Sequence, residues 1–350
     1  MKKWVGRSII ATSVALVAIA WNMSQQRSSY MPWHETSAWK EFLQVYDELT
    51  QRMYSTCHQT TISTTFGSTF AHVCGDTSST HPPILMLHGA GSNSLIYGDW
   101  LIPPLVANKQ RCAVAVDFPC DTGRSSPRDG NPKNCPSTEA ELAEWVEQIV
   151  QGLSLMKPVD IVGYSYGTLV AFETAVHRPH LVRKLVLLAP GIFTPISFKF
   201  LWRAIFYSIV PTNRTQNWLL RGMTTNASFD LQASPELSLR HLIAIRKLQA
   251  TVLAVPFPVV NDTLLEHVFR HIPTMVGVGM QEVIGNATTI VARAKQAGAQ
   301  RVVGYPNASH LMIIELPTRD IITQDVASFL LDETIEVDDA EKKKAAPAVY

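Results

Sequence analysis

A five-residue segment, Gly163-Tyr164-Ser165-Tyr166-Gly167, is the feature that most restricts the fold of this 350-residue chain. The segment Val159 to Val162 precedes it with the pattern of a strand, and Thr168 to Phe172 follows with the pattern of a helix. A serine on so sharp a strand-to-helix turn has a strained backbone, and glycines on both sides leave room for the strand and the helix. The segment therefore predicts a serine hydroxyl exposed above a sheet, at the positive end of a helix dipole.

Short, continuous apolar runs alternate with helical patterns along most of the chain. Strands that are buried on both faces have such runs, and this alternation predicts an α/β fold with a doubly wound, mostly parallel sheet. The predicted strands are Pro83 to Leu87, Cys112 to Phe118, Val159 to Tyr164, Val182 to Leu188, Thr274 to Val278 and Arg301 to Gly304. The predicted helices are Thr138 to Leu155, Tyr166 to His177, Asn286 to Ala297 and Thr318 to Leu331, and a capping box from Thr138 to Glu141 opens the first.

The segment 192–268 interrupts this alternation with a long stretch that is rich in aromatic and aliphatic residues. We interpret it as a helical cap, inserted over the strand ends, that covers a pocket. Contact of its apolar surface with a membrane is the alternative. The expected organisation is a signal peptide or anchor at 1–27, an α/β core at 28–191 and 269–332 around the cap at 192–268, and a charged, disordered tail at 333–350.

The N-terminus has the pattern of a targeting segment. Lys2, Lys3 and Arg7 precede an apolar run from Ile9 to Met23, which is either an export signal or a short membrane anchor. Ala18-Ile19-Ala20 satisfies the small-residue rule for cleavage, and both alternatives stay open. In either case the positive flank predicts a folded part outside the cytoplasm, periplasmic or extracellular, with a possible membrane association through the N-terminus.

Composition excludes one class of partner. The formal net charge is +1, and 17% of the residues are charged, so the chain lacks the excess of basic residues that nucleic-acid binding requires. Hydrophobic residues make up 46% of the chain, which is enough for a large core.

Five cysteines fit an oxidising compartment. Cys57 and Cys74 lie on a predicted hairpin, and Cys120 and Cys135 bracket a loop rich in Pro, Gly, Asp and Asn. We predict the disulfides Cys57–Cys74 and Cys120–Cys135, with Cys112 as a buried free thiol; five reduced core cysteines are the alternative. None of the spacings has the paired C-x-x-C pattern of a zinc site, so no metal is expected.

A nucleophilic serine requires a base and a group that orients the base. In the fold that uses this turn, the order along the chain is nucleophile, acid, histidine. His310 follows the last predicted strand and is the expected general base. Glu282 follows the strand that ends near Val278 and is the preferred acid, whereas Asp121 is the alternative acid although it precedes Ser165.

A glycine-rich loop follows the first predicted core strand. Gly89 and Gly91 let the backbone bend toward a substrate oxygen. The N–H of Ala90, together with that of Tyr166, would then form an oxyanion hole. His88 is expected to support this loop through hydrogen bonds rather than to take part in catalysis.

With these motifs, the chain from Cys57 to Leu331 resembles the α/β-hydrolase superfamily, and in particular the bacterial capped serine carboxylesterases. The matching segments are His88 to Gly91, Asp117 to Ser125, Gly163 to Gly167, Leu188 to Phe193, Gly279 to Ile284 and Ser309-His310. The resemblance implies a cofactor-free serine hydrolase, with the triad Ser165, His310 and Glu282, that acts on small-molecule esters, and the apolar cap favours an apolar acyl or aryl group. Acyl transfer and the hydrolysis of an amide or a C–C bond are alternatives, as is a secreted binding protein without activity.

Overall fold

The computed structural model describes residues 37–107, 111–155, 158–210, 212–225, 255, 257–315 and 317–335. The expected leader or anchor, residues 226–254 of the expected cap and most of the expected tail lie outside the described residues. Among the described residues, no helix is both long enough and apolar enough to cross a bilayer.

Within the described residues, nine strands form one sheet in the order β1-β2-β4-β3-β6-β7-β8-β9, and β5 pairs with β2. Neighbours from β4 through β9 along this order are parallel, whereas β2 is antiparallel to β1, β4 and β5. The strands are β1 (His58–Thr64), β2 (Gly67–Gly75), β3 (Ile84–Leu87), β4 (Cys112–Val116), β5 (Ser126–Pro127), β6 (Val159–Tyr164), β7 (Val182–Leu188), β8 (Thr274–Gly279) and β9 (Arg301–Tyr305). The predicted α/β class with a mostly parallel sheet is confirmed.

Helices cover both faces of the sheet. The described α-helices are α1 (Ser37–Met53), α2 (Ile102–Val106), α3 (Glu139–Gly152), α4 (Tyr166–His177), α5 (Phe198–Ile209), α6 (Asn213–Arg221), α7 (Asp262–His271), α8 (Ala287–Gln296) and α9 (Thr318–Leu331). Apolar residues of α3, α4, α7 and α8 form a core with one face, and those of α1, α2 and α9 form a core with the other. The result is a three-layer arrangement with the sheet in the middle.

Two predicted strands, Val159–Tyr164 and Val182–Leu188, begin and end at the expected residues. The strand predicted to reach Phe118 ends at Val116 instead. The next residue, Asp117, donates its N–H to Phe70 O at 2.9 Å, and its carboxylate accepts the N–H of Ser94 at 2.8 Å. The N–H of Asp117 thus still bonds to β2, whereas the parallel pairing with β3 ends at Val116, and the Asp117 carboxylate bonds to the segment that follows β3.

The helix expected at Thr138 to Leu155 is shorter, Glu139–Gly152. Thr138 caps it, because its hydroxyl accepts the N–H of Glu141 at 3.2 Å. The Glu141 carboxylate also accepts the N–H and the hydroxyl of Ser137, the residue before the cap.

The expected boundary between the cap and the second part of the core, at 268/269, falls inside α7. Leu265 and Phe269, on either side of it, both lie in the core under the sheet. The division of the chain into core and cap remains a prediction.

Both expected cystine pairs are bonded in the structure, Cys57–Cys74 and Cys120–Cys135. They close loops with separations of 17 and 15 residues, and each would contribute about 3 kcal/mol by restricting the unfolded chain. Cys112 is a buried free thiol, and burial raises its pKa to about 11. Two disulfides are compatible with an exported protein.

A buried histidine lies on β2. The His72 ring stacks on Tyr54, with ring centroids 4.0 Å apart, and its nitrogens lie 3.1 Å from Ser94 Oγ and 3.4 Å from Thr50 Oγ1. Burial lowers the pKa of His72 to about 4, although the charge of Asp117 opposes this shift. The imidazole is therefore neutral in the folded protein at neutral pH.

This neutral histidine makes stability depend on pH. Below about pH 6.5 the unfolded chain binds a proton at His72 that the folded protein does not bind until about pH 4. The contribution of the neutral His72 to the free energy of unfolding is therefore fully present above about pH 6.5. We expect about 3 kcal/mol of that free energy to be lost as the pH falls to about 4. Urea unfolding of the wild type and of His72→Gln at several pH values measures this term. An equal loss of stability in both proteins would contradict the expectation.

Candidate active site

Ser165 lies at the junction of β6 and α4 in a strained backbone conformation, with φ 51° and ψ −114°. A Cβ atom on Gly163 would lie 2.3 Å from Gly167 O, and one on Gly167 would lie 2.0 Å from Leu87 O. Both distances are far below van der Waals contact, so only glycine fits at either side of this serine. The strained turn predicted from the sequence is thus present, and packing explains its glycines.

Three distant side chains meet at the carboxyl edge of the sheet. Ser165 Oγ lies 2.9 Å from His310 Nε2, and His310 Nδ1 lies 2.8 Å from Glu282 Oε2. Ser165 follows β6, Glu282 follows β8 and His310 follows β9, so each comes from the end of a parallel strand. An ionised carboxylate can only accept, so Nδ1 carries the proton, and Nε2 is left to accept the serine hydroxyl.

The Glu282 carboxylate is held on both oxygens. Its second oxygen accepts the N–H groups of Val283 and Ile284, each at 2.8 Å. Burial would raise the pKa of Glu282, but the charge and hydrogen bond of His310, together with these two N–H groups, outweigh burial and lower the pKa below its usual value. The carboxylate is therefore ionised and oriented toward the imidazole at neutral pH.

Hydrogen bonds join the loop of His310 to its surroundings. Tyr164, next to the serine, donates its hydroxyl to His310 O at 2.8 Å. Ser309 Oγ donates to Gln281 O, and Gln281 N–H donates to Ala308 O, each at 2.9 Å. Tyr164 and Ser309 were not predicted as site residues, although each adjoins a predicted catalytic residue in the sequence.

The glycine-rich loop after β3 packs against the strained turn. A Cβ atom on Gly89 would lie 3.0 Å from Ser165 Cβ. His88 supports this loop, since its Nε2 accepts the N–H of Phe118 at 2.9 Å and its Nδ1 donates to Gly89 O at 2.8 Å. A backbone N–H only donates, which decides the tautomer of His88.

One expected oxyanion donor lies in this loop, and the other begins the helix after Ser165. Ala90 follows Gly89 and is exposed, and Tyr166 is the first residue of α4, where a helix leaves N–H groups unpaired. Their joint role remains a prediction.

Asp121, the alternative acid, binds the glycine-rich loop. Its Oδ2 accepts the N–H of Gly91 at 2.8 Å, and its Oδ1 accepts the N–H of Thr122 at 2.7 Å. Cys120, the preceding residue, is disulfide-bonded to Cys135. The disulfide, Asp121 and Gly91 thus form a continuous support for the loop beside Ser165, and Glu282 is the carboxylate that the structure places on His310.

The described part of the cap region contains exposed aromatic side chains and one contact with the site. Phe206 and Trp218 lie edge to face, 5.9 Å apart, and Trp202 is 56% exposed. Phe257 packs edge-on against the Tyr166 ring, with centroids 5.4 Å apart. A segment of the cap region therefore contacts the residue after Ser165.

Comparison with known families identifies the fold. The model of the Alpha/beta hydrolase family matches residues 84–323, more than half of the chain. The chain belongs to this family. It is also similar to a 2-hydroxymuconate semialdehyde hydrolase of Pseudomonas sp. (strain CF600), with 29% identity over 119 residues. That match covers 33% of this chain and 39% of the relative, less than half of either protein.

Solved structures of bacterial α/β hydrolases have the same fold. Naproxen esterase (carboxylesterase NP) from Bacillus subtilis matches with a TM-score of 0.68 and 22% identity, over 84% of this chain and 98% of that one. Carboxylesterase CesB from Bacillus subtilis matches with a TM-score of 0.71 and 22% identity, over 85% and 99% of the two chains. The expected resemblance to bacterial capped esterases is confirmed at the level of the fold.

Proposed function

We propose that this α/β hydrolase is a serine esterase that cleaves carboxylic esters through an acyl-enzyme. The observation that carries this proposal is a chain of two hydrogen bonds. Ser165 Oγ lies 2.9 Å from His310 Nε2, and His310 Nδ1 lies 2.8 Å from Glu282 Oε2. These are the contacts that a serine nucleophile, its general base and an orienting carboxylate require.

In the proposed reaction, Ser165 Oγ attacks the acyl carbonyl carbon while its proton passes to His310 Nε2. The tetrahedral intermediate collapses, the bond to the alcohol oxygen breaks, and His310 returns the proton to the leaving alkoxide. Water then attacks the acyl-enzyme with the same base, which releases the carboxylic acid and restores the serine. Glu282 remains ionised and stabilises the imidazolium in both steps.

The carbonyl oxygen gains negative charge in both tetrahedral intermediates. We propose that the N–H groups of Ala90 and Tyr166 stabilise that charge, and one such donor typically contributes a factor of about 10²–10³ in rate. The bonds of His88 and Asp121 to the glycine-rich loop hold it rigid, so the donors need no reorganisation during the reaction.

The aromatic side chains of the cap region support an apolar acyl or aryl group in the substrate. A second candidate is hydrolysis of a carbon–carbon bond, which the similarity to the semialdehyde hydrolase favours. The compound in that enzyme's name contains no ester, thioester or amide, so the bond that its hydrolysis breaks is a carbon–carbon bond. The same serine, histidine and glutamate would serve either reaction.

A substrate panel separates these candidates. We expect p-nitrophenyl esters of increasing acyl length to be hydrolysed, with stoichiometric labelling of Ser165 by a fluorophosphonate. Turnover of 2-hydroxymuconate semialdehyde without ester hydrolysis would favour the second candidate. Absence of both labelling and turnover would indicate a binding protein without activity.

We also propose that the enzyme acts outside the cytoplasm. The two disulfides support this location, because such bonds persist in oxidising compartments. N-terminal sequencing tests whether the segment 1–27 is a cleaved signal or an anchor. The protein is purified for this from the membrane fraction and from the soluble fraction of the cells that produce it.

A further inference from the structure

A second buried carboxylate lies in the loop of the proposed base. Glu315 is 6% exposed and is five residues beyond His310. Its Oε2 accepts the N–H of Ser309, the residue before the histidine, at 3.0 Å. Its Oε1 accepts the N–H and the hydroxyl of Thr225 at 2.5 and 3.0 Å. One side chain thus binds three donors from two parts of the chain that are far apart in sequence.

Thr225 belongs to the cap region, four residues after α6. The same two chain segments make other contacts. Leu311 N–H donates to Met223 O at 3.0 Å, and Leu311 packs against Leu220 of α6. The cap segment is therefore bonded directly to two residues after His310, Leu311 and Glu315, and Glu315 in turn accepts the N–H of Ser309, the residue before His310.

We propose that Glu315 is a positioning residue that joins the cap to the loop of the catalytic histidine and holds His310 Nε2 toward Ser165. This inference rests on the proposed function. A neutral side chain of the same size cannot replace it, because an amide has one accepting oxygen and its nitrogen only donates. Without the carboxylate, the N–H of either Ser309 or Thr225 loses its acceptor, and a buried unpaired N–H moves the loop or admits water.

Glu315→Gln tests the proposal. We expect kcat, per serine titrated with a fluorophosphonate, to fall about 10–100-fold, because a small displacement of a catalytic group has effects of this size. KM should change by less than about threefold, since binding of the substrate is not altered. Normalising kcat to titrated serine separates this loss from a loss of folded protein.

Glu173→Gln is the matched control. Glu173 is as buried as Glu315, at 5% exposure, and its carboxylate faces His177 on α4 rather than the site. We expect this variant to keep wild-type kcat. The proton NMR signal of His310 Nδ1–H gives a second readout, which should shift or broaden in Glu315→Gln and stay unchanged in Glu173→Gln.

Thr225→Val decides the question if Glu315→Gln does not fold. This change removes one hydrogen bond to Glu315 from the cap side, and we expect about a fivefold lower kcat with unchanged KM. If Glu315→Gln folds and keeps the wild-type kcat, the inference is overturned and the proposed function is left intact. If only Thr225→Val folds, a wild-type kcat in that variant has the same consequence. A wild-type protein that hydrolyses no substrate and takes no label overturns both.

Discussion

Replacement of Ser165 with alanine is expected to lower kcat on an aryl ester by about 10⁴–10⁶-fold. The hydroxyl oxygen 2.9 Å from His310 Nε2 is the proposed nucleophile, and no acyl-enzyme can form without it. The remaining rate would come from the oxyanion donors and from substrate binding. Initial rates with p-nitrophenyl esters, together with fluorophosphonate labelling, measure the effect.

Ser126→Ala is a suitable control for this experiment. Ser126 is a part-buried serine on β5, with its hydroxyl bonded to that of Ser68 at 2.8 Å, and it is outside the site. It should keep wild-type rates and full labelling. A Ser165→Ala protein with wild-type turnover would show that the proposed nucleophile is wrong.

Replacement of Glu282 with glutamine is expected to lower kcat by about 10³–10⁴-fold. The amide nitrogen of glutamine can donate to His310 Nδ1, which stabilises the tautomer with its proton on Nε2. His310 Nε2, which then carries a proton, cannot accept the proton of Ser165. The size and shape of the side chain stay the same, so the loss of kcat results from the changed position of the proton on His310 rather than from altered packing.

Asp121→Asn is the comparison that decides between the two acids considered from the sequence. Asp121 supports the glycine-rich loop through Gly91, so we expect a smaller loss in this variant, about tenfold. The kcat values of both variants, measured with one ester at one pH, test the assignment. A near-normal Glu282→Gln with a severely impaired Asp121→Asn would transfer the role of the acid to Asp121.

Much of the fold was predictable because its signals are local. The runs Val159–Tyr164 and Val182–Leu188 are mostly apolar and are buried along their whole length, as strands covered on both faces are. Strand ends were less predictable where a polar side chain bonds to a distant loop. Asp117 is such a case, since its carboxylate accepts the N–H of Ser94, in the segment that follows β3.

The residues of the candidate site also differ in how local their signals are. Ser165 was predictable because its turn requires glycines on both sides within five residues. His310 and Glu282 were predictable only through their positions after strands and their order along the chain. Their roles in catalysis remain predictions, although the structure brings the three side chains into hydrogen-bonding distance.

Glu315 had no local signal. Its partner Thr225 is 90 residues earlier in the chain, and a glutamate near the start of a helix is most often a solvated residue. The contact arises only because the cap segment returns to the histidine loop.

Side-chain periodicity and turn chemistry depend on residues a few positions apart, so the amino-acid order alone was enough for the strand–helix alternation, the serine turn and the class of fold. The partners of buried charged groups depend on which segments the folded chain brings together. Burial makes an unpaired carboxylate costly, so the support of the site by Asp121 and Glu315 was determined in three dimensions.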